Sequence, residues 1–255
     1  MDLEPAERDP VKLRKTGLIL AAVMVVGGVL VMMDYLRTIR AQEATGRPAF
    51  EGRLNKNFGA VGHDKALVTI GELEGKVWLA TAVVLSQKDK TAENITALRK
   101  AAEHFKDRED LHFVVFTADP ETDQPEKMAE FATELGLAED PRWWFAAAGE
   151  EQLRGFLRTQ LKLGATGFKD VDGTKVLMFP TVIRVIDRHR HLRGGRFDFA
   201  VARAVQEDAR QMLANDPDRA AELRAEEQTE AVQLLQDKLH ERIDYILNEK
   251  LKDDE

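Results

Sequence analysis

The chain of 255 residues contains no cysteine. That absence excludes disulfides, a lipid-modified N-terminal cysteine and thiolate metal sites. Thiol oxidoreductase and peroxidase chemistry go with them, because no thiolate nucleophile exists. It does not separate a reducing compartment from an oxidising one. A basic stripe is also missing, and the net charge of −8 argues against a nucleic-acid partner. The sequence has no Ser-His-Asp arrangement, Gly-rich phosphate loop or paired-carboxylate motif that would nominate another enzyme. Internal repeats and low-complexity tracts are absent apart from the charged tail Lys252 to Glu255.

What is present supports one globular domain with appendages: 44% of residues are hydrophobic and 32% charged. Gly17 to Met33 (GLILAAVMVVGGVLVMM) carries no charge. At 1.5 Å rise per residue it is long enough to cross most of a bilayer's hydrocarbon core. A cleaved signal would have a shorter apolar stretch and a small-x-small site, whereas Asp34-Tyr35-Leu36-Arg37 follows. Residues 16–34 are therefore expected to form a single transmembrane helix after a cytoplasmic tail, 1–15. Lys12, Arg14 and Lys15 outweigh Arg37 and Arg40, which places the remainder across the inner membrane, in the periplasm. Residues 35–57, with Gly46, Pro48 and Gly52, read as a linker without a core.

Beyond the linker the pattern is α/β. Two short apolar runs flank Gly62-His63-Asp64-Lys65 as a hairpin. Val77 to Leu85 (VWLATAVVL) is a strand covered on both faces. Thr91 to Phe105 places Ile95, Leu98, Ala101, Ala102 and Phe105 at helical spacing, and Leu111 to Ala118 is again strand. This strand-helix-strand unit favours parallel pairing. Helices over Glu126–Leu135 and Glu150–Leu163 bracket a short strand, Trp143-Trp144-Phe145. Because neighbours on a strand face opposite ways, one tryptophan belongs to the core and the other to the surface. Val176 to Ile186 reads as one strand, and Asp187 to Arg190 as the turn of a closing hairpin with His191 to Gly194. From Ala200 the chain is helical, interrupted at Asn215-Asp216-Pro217 and then continuous to Leu251. Val232, Leu235, Leu239, Ile243, Ile246 and Leu247 form one stripe on that last helix. It either packs back over its own domain or offers itself to another subunit or a second copy, as a homo-oligomer would require.

The order of these elements, with Phe116 to Glu126 (FTADPETDQPE) after the central strand, resembles the SCO/SenC family of membrane-anchored, thioredoxin-like copper-handling proteins. Leu73 to Trp78 (LEGKVW), Trp143-Trp144-Phe145 before Gly149-Glu150-Glu151, and Val185-Ile186-Asp187 up to Leu192-Arg193-Gly194 match in the same order, so the likeness runs from about Phe58 to Met212. The resemblance implies a thioredoxin-like domain over 58–214 and a helical extension over 215–255. Family members hold copper through two cysteines separated by three residues and a histidine near the last strands. Those positions fall on Gln87, Thr91 and, for the histidine, Phe179 or its neighbour. An amide, a hydroxyl and a phenyl ring supply no soft ligand for Cu(I). Phe179-Pro180-Thr181 resembles the proline loop of thioredoxin-like domains, which would make Pro180 cis.

Candidate metal ligands outside that alignment are Met178, His189 and His191. The ordinary reading of Met178 is core filling, and of the histidines a solvated turn, since a metal site needs three or four ligands. Asp119, Glu121 and Asp123 lie between Pro120 and Pro125 and read as a capped turn, with Asp123 the helix cap. His63, His104, His112 and His240 share no spacing. The expected function is non-catalytic: a membrane-anchored protein without cofactor, acting by contact with a protein partner, as accessory subunit or assembly factor of a respiratory membrane complex such as cytochrome c oxidase. The alternative is copper binding through Met178 with His189 or His191.

Overall fold

Strand β4 (Val77–Val83) and strand β5 (Leu111–Thr117) are buried at every position, as their unbroken apolar runs require of strands covered on both faces. They pair in parallel, Val77 opposite Leu111 through Val83 opposite Thr117, across helix α1 (Ala92–His104). The computed structural model describes residues 46–249. The expected tail and membrane helix lie outside the described residues. Among the described residues, no helix is long and apolar enough to cross a membrane.

From Pro48 onward the chain forms one compact unit. Its sheet also contains β1 (Phe50–Arg53), β2 (Gly59–Gly62), β3 (Leu67–Thr69), β6 (Trp143–Ala147), β9 (Ile183–Ile186) and β10 (His191–Phe197). The order is β1-β10-β9-β4-β5-β6-β2-β3. Its centre has parallel β5 and β4 beside antiparallel β9 and β10, the arrangement of a thioredoxin-like α/β domain. Strands β7 (Gly167–Val171) and β8 (Thr174–Met178) form a separate, largely exposed hairpin.

Alternation along β4 divides the core. Val77, Leu79 and Val83 face one layer with α1 and α2 (Pro125–Glu134), while Trp78, Ala80 and Ala82 face α3 (Glu150–Thr159) on the other side. Trp143 is buried and Trp144 half-buried, as strand alternation demands.

Four features differ from the sequence reading. The expected linker carries β1, which pairs with β10, and Leu54 beyond it is buried. Glu51 on β1 accepts a 2.6 Å hydrogen bond from Arg184, a fully buried residue whose other amino group donates to Gly195 at 2.8 Å. A buried guanidinium needs such partners, which fixes the strand despite its polar sequence. Second, Val176 to Ile186 is not one strand. It breaks at Phe179–Val182, and its first half returns to Gly167 through a turn at Asp172 (φ 52°) and Gly173 (φ 79°), the left-handed pair that tight hairpins favour. Third, the described residues contain no cis peptide, so Pro180 is trans. The trans form is the intrinsic preference of an X-Pro bond.

Fourth, the terminal helical region is broken. After α4 (Phe199–Asn215) come α5 (Pro217–Glu222), α6 (Ala225–Gln228) and α7 (Ala231–Asn248), with Arg224 left-handed (φ 51°) between α5 and α6. Pro217 does occupy the first turn of α5, capped by Asp216. Leu239, Ile243, Ile246 and Leu247 are buried in the same core as α1 and β4, with Val232 and Leu235 packed against it. The domain itself therefore buries four of the six stripe residues and half-covers Val232 and Leu235.

His112 on β5 is buried beside Lys76, whose Nζ lies 3.2 Å from its Nε2, and its Nδ1 has no hydrogen-bond partner. Burial, reinforced by the charges of Lys76 and Arg142, lowers its pKa from 6.5 to about 4. A histidine kept neutral by the fold stabilises fully above its unfolded pKa, and that contribution is lost as pH falls. Stability measured by urea titration should decline as pH falls from 6.5 towards 4, and His112→Leu should flatten that decline.

Candidate functional site

The carboxyl end of β4 leads through a 3-10 turn, Leu85–Thr91, into α1. Beneath the turn lies Asp123. It does not cap α2, whose cap position is Gln124. Its buried carboxylate instead accepts the Leu85 amide at 2.9 Å and the Thr117 hydroxyl at 3.0 Å, joining the ends of β4 and β5. Burial pushes its pKa up from the ordinary aspartate value, opposed by those two hydrogen bonds.

Gln87 interrupts the turn (φ −132°, ψ 31°) and sends its side chain to the exposed hairpin. Its Nε2 donates to the Leu177 carbonyl on β8 at 2.9 Å, and Lys90 donates to its Oε1 at 2.6 Å. Thr91 is fully buried and its hydroxyl donates to Lys88 at 3.2 Å. Lys88 is held by Glu134 at 2.7 Å. One turn into α1, buried Asn94 donates to the Thr181 carbonyl at 2.8 Å and accepts from the Phe199 amide at 3.2 Å. Thr81 donates to the Val182 carbonyl at 3.1 Å, and Thr181 to Asp198, the cap of α4. The segment around Pro180 is thus tied to β4, α1 and α4 by side chains on all three.

Gln87 and Phe179 therefore come to one end of the sheet, with Thr91 a turn away. Met178 does not fill core: it is 44% exposed on β8, while Phe179 packs against the α3-side core. His189 and His191 lie at the other end of β9, where Ile186 pairs with Trp78 at the start of β4. Met178 and this pair are separated by the length of a strand and cannot ligate one ion. Asp187 uses one oxygen to accept the amides of His189 and His191, at 3.0 and 2.9 Å, and the other to meet the His191 ring and Arg193. That arrangement builds the turn. Among the described residues no three His, Asp or Glu side chains group as metal ligands do.

The residues missed by the sequence reading are Asn94, Thr81 and the bridging role of Asp123. Their signal was faint: polar side chains at positions that helix and strand periodicity turn inward. Chemically, the ensemble offers amides, hydroxyls and ammonium groups bonded to one another. It has no soft ligand pair for Cu(I).

The class defined by this core is thioredoxin-like α/β. The SCO1/SenC family model matches residues 46–139. The matched segment lies in a chain without cysteine. None of the curated proteins matches the chain. Among solved structures it is similar to an SCO1/SenC family lipoprotein from Bacillus anthracis, with 22% identity, 59% of this chain and 89% of that one covered, and a TM-score of 0.45. It is also similar to copper-bound ScoI from Bradyrhizobium japonicum, with 19% identity, coverage of 58% and 89%, and a TM-score of 0.43. A third is BsSco, described as a member of the Sco family of cytochrome c oxidase assembly proteins, with 19% identity, coverage of 58% and 87%, and a TM-score of 0.44.

Proposed function

We propose that this is a non-catalytic, membrane-anchored SCO-like protein that acts by protein contact, as accessory subunit or assembly factor of a respiratory membrane complex such as cytochrome c oxidase. Its domain stands in the periplasm, held by the apolar run Gly17 to Met33. The observation that carries the reading is the closure of the aligned copper site. Gln87 ties its turn to Leu177, and Thr91 is buried and bonded to Lys88. A position that has exchanged ligands for internal hydrogen bonds supports a rigid docking face rather than metal transfer. The respiratory setting rests on the SCO1/SenC match and on what that resemblance implies.

Copper handling through Met178 with a hairpin histidine has no supporting observation, given their separation along β9. The test is a mild-detergent pull-down of the tagged full-length protein from native membranes, with partner identification and metal analysis on one sample. Recovery in fixed stoichiometry with a respiratory complex, and without copper on the isolated protein, is expected. Recovery alone with about one copper per chain would overturn the reading.

A further inference from the structure

The two helices that clamp the α1-side core meet at a pair of histidines unrelated to the aligned site. His104 near the end of α1 and His240 on α7 stack with ring centroids 4.4 Å apart and 19° between planes, and Phe105 meets His240 edge-on. Gln236, one turn before His240, is buried. Its Nε2 lies 2.7 Å from His240 Nε2 and 3.3 Å from the Ala97 carbonyl of α1.

This geometry fixes proton positions. A carbonyl oxygen can only accept, so the Gln236 amino group must face Ala97, because the flipped amide would set oxygen against oxygen. The same amino group then donates its second hydrogen to His240, whose Nε2 must be the bare, accepting nitrogen. Protonating that nitrogen sets two donors against each other at 2.7 Å. Relief by turning the amide would break the bond to Ala97. It also puts a cation face to face with His104.

We propose that His240, Gln236 and His104 form an acid-sensitive clasp, so that docking of α7 on its own domain depends on proton concentration. The titratable and charged groups acting on His240 are His104 and Lys100 from α1 and Asp237 from its own helix. Burial foremost, then His104, lowers its pKa below the ordinary 6.5, with Asp237 opposing and Lys100 adding to the effect. The clasp is therefore closed above that value and loosens as pH falls beneath it. Opening frees the face of α7 bearing Leu239 and Ile243 and the core surface beneath. This inference does not depend on the identity of the partner.

The test is hydrogen-deuterium exchange on the full-length protein in detergent between about pH 7.5 and about pH 5, corrected for intrinsic rates. The reference is α2, which shares the core but not the clasp, so general acid destabilisation cancels. Protection of 231–248 should fall about threefold or more beyond that of α2. His240→Phe keeps an aromatic ring against His104 but cannot titrate, and should abolish the excess; Gln236→Met should reduce it. Equal pH dependence of α7 and α2 in the wild type, or an unchanged excess in His240→Phe, would overturn the proposal.

Discussion

Replacing Ile243 with alanine should destabilise the protein by about 2 to 5 kcal/mol, the range for losing a buried aliphatic side chain with partial collapse of the cavity. Ile243 is 0% exposed and shares its core with Leu79, Phe113 and Leu98, so the cavity would open at the centre of the α1-side layer. An appendage that only reached for a partner would show no such loss. Leu234, on the same helix but 55% exposed, supplies the control: Leu234→Ala should change stability by about 0.5 kcal/mol or less. Urea denaturation of both variants above pH 7, where the histidine clasp is closed, checks this. Equal effects would mean that α7 is not part of the cooperative unit.

That expectation also marks where reading the sequence stops. The stripe from Val232 to Leu247 announces an apolar face but not what covers it, because periodicity reports a helix's amphipathicity and nothing of its neighbour. The covering elements are α4 and β10, nearer in the chain, together with α1 and β4, which lie more than a hundred positions away. Strands β4 and β5 were legible because two-sided burial leaves unbroken apolar runs. Strand β1 was not, since Phe50-Glu51-Gly52-Arg53 has no alternation and is placed by the Arg184 bond to Glu51. The β7–β8 hairpin had its signal in Asp172-Gly173, which a continuous strand from Val176 obscured.

The site divides in the same way. The order of elements assigns Gln87, Thr91 and Phe179 to the aligned positions. That the Gln87 amide would close on Leu177 could not be read that way, because the bond spans 90 residues and depends on where the hairpin folds back. Asp123 shows the opposite error. Its position before Pro125 fits a helix cap, yet the ends of β4 and β5 leave the Leu85 amide and Thr117 hydroxyl in need of an acceptor, and that demand prevails.

Arg193→Ala should be the most damaging polar substitution, at about 3 to 5 kcal/mol, because it removes one member of a buried ionic cluster and leaves its carboxylates behind. Arg193 is 4% exposed and donates to Asp187 and Glu249, each at 2.9 Å, and to the Pro48 carbonyl at 3.2 Å. One guanidinium therefore joins the first residue of the domain, the β9–β10 turn and the end of α7. Without it, Asp187 retains the His191 ring and the turn amides, and Glu249 loses the two bonds it accepts from Arg193. Arg193→Lys should recover only part of the loss, since an ammonium cannot span the three partners. Denaturation of the three proteins at about pH 7 would decide it. A loss under about 1 kcal/mol for Arg193→Ala, the range of an exposed pair, would show that the cluster is solvated and that α7 is held by its apolar face alone.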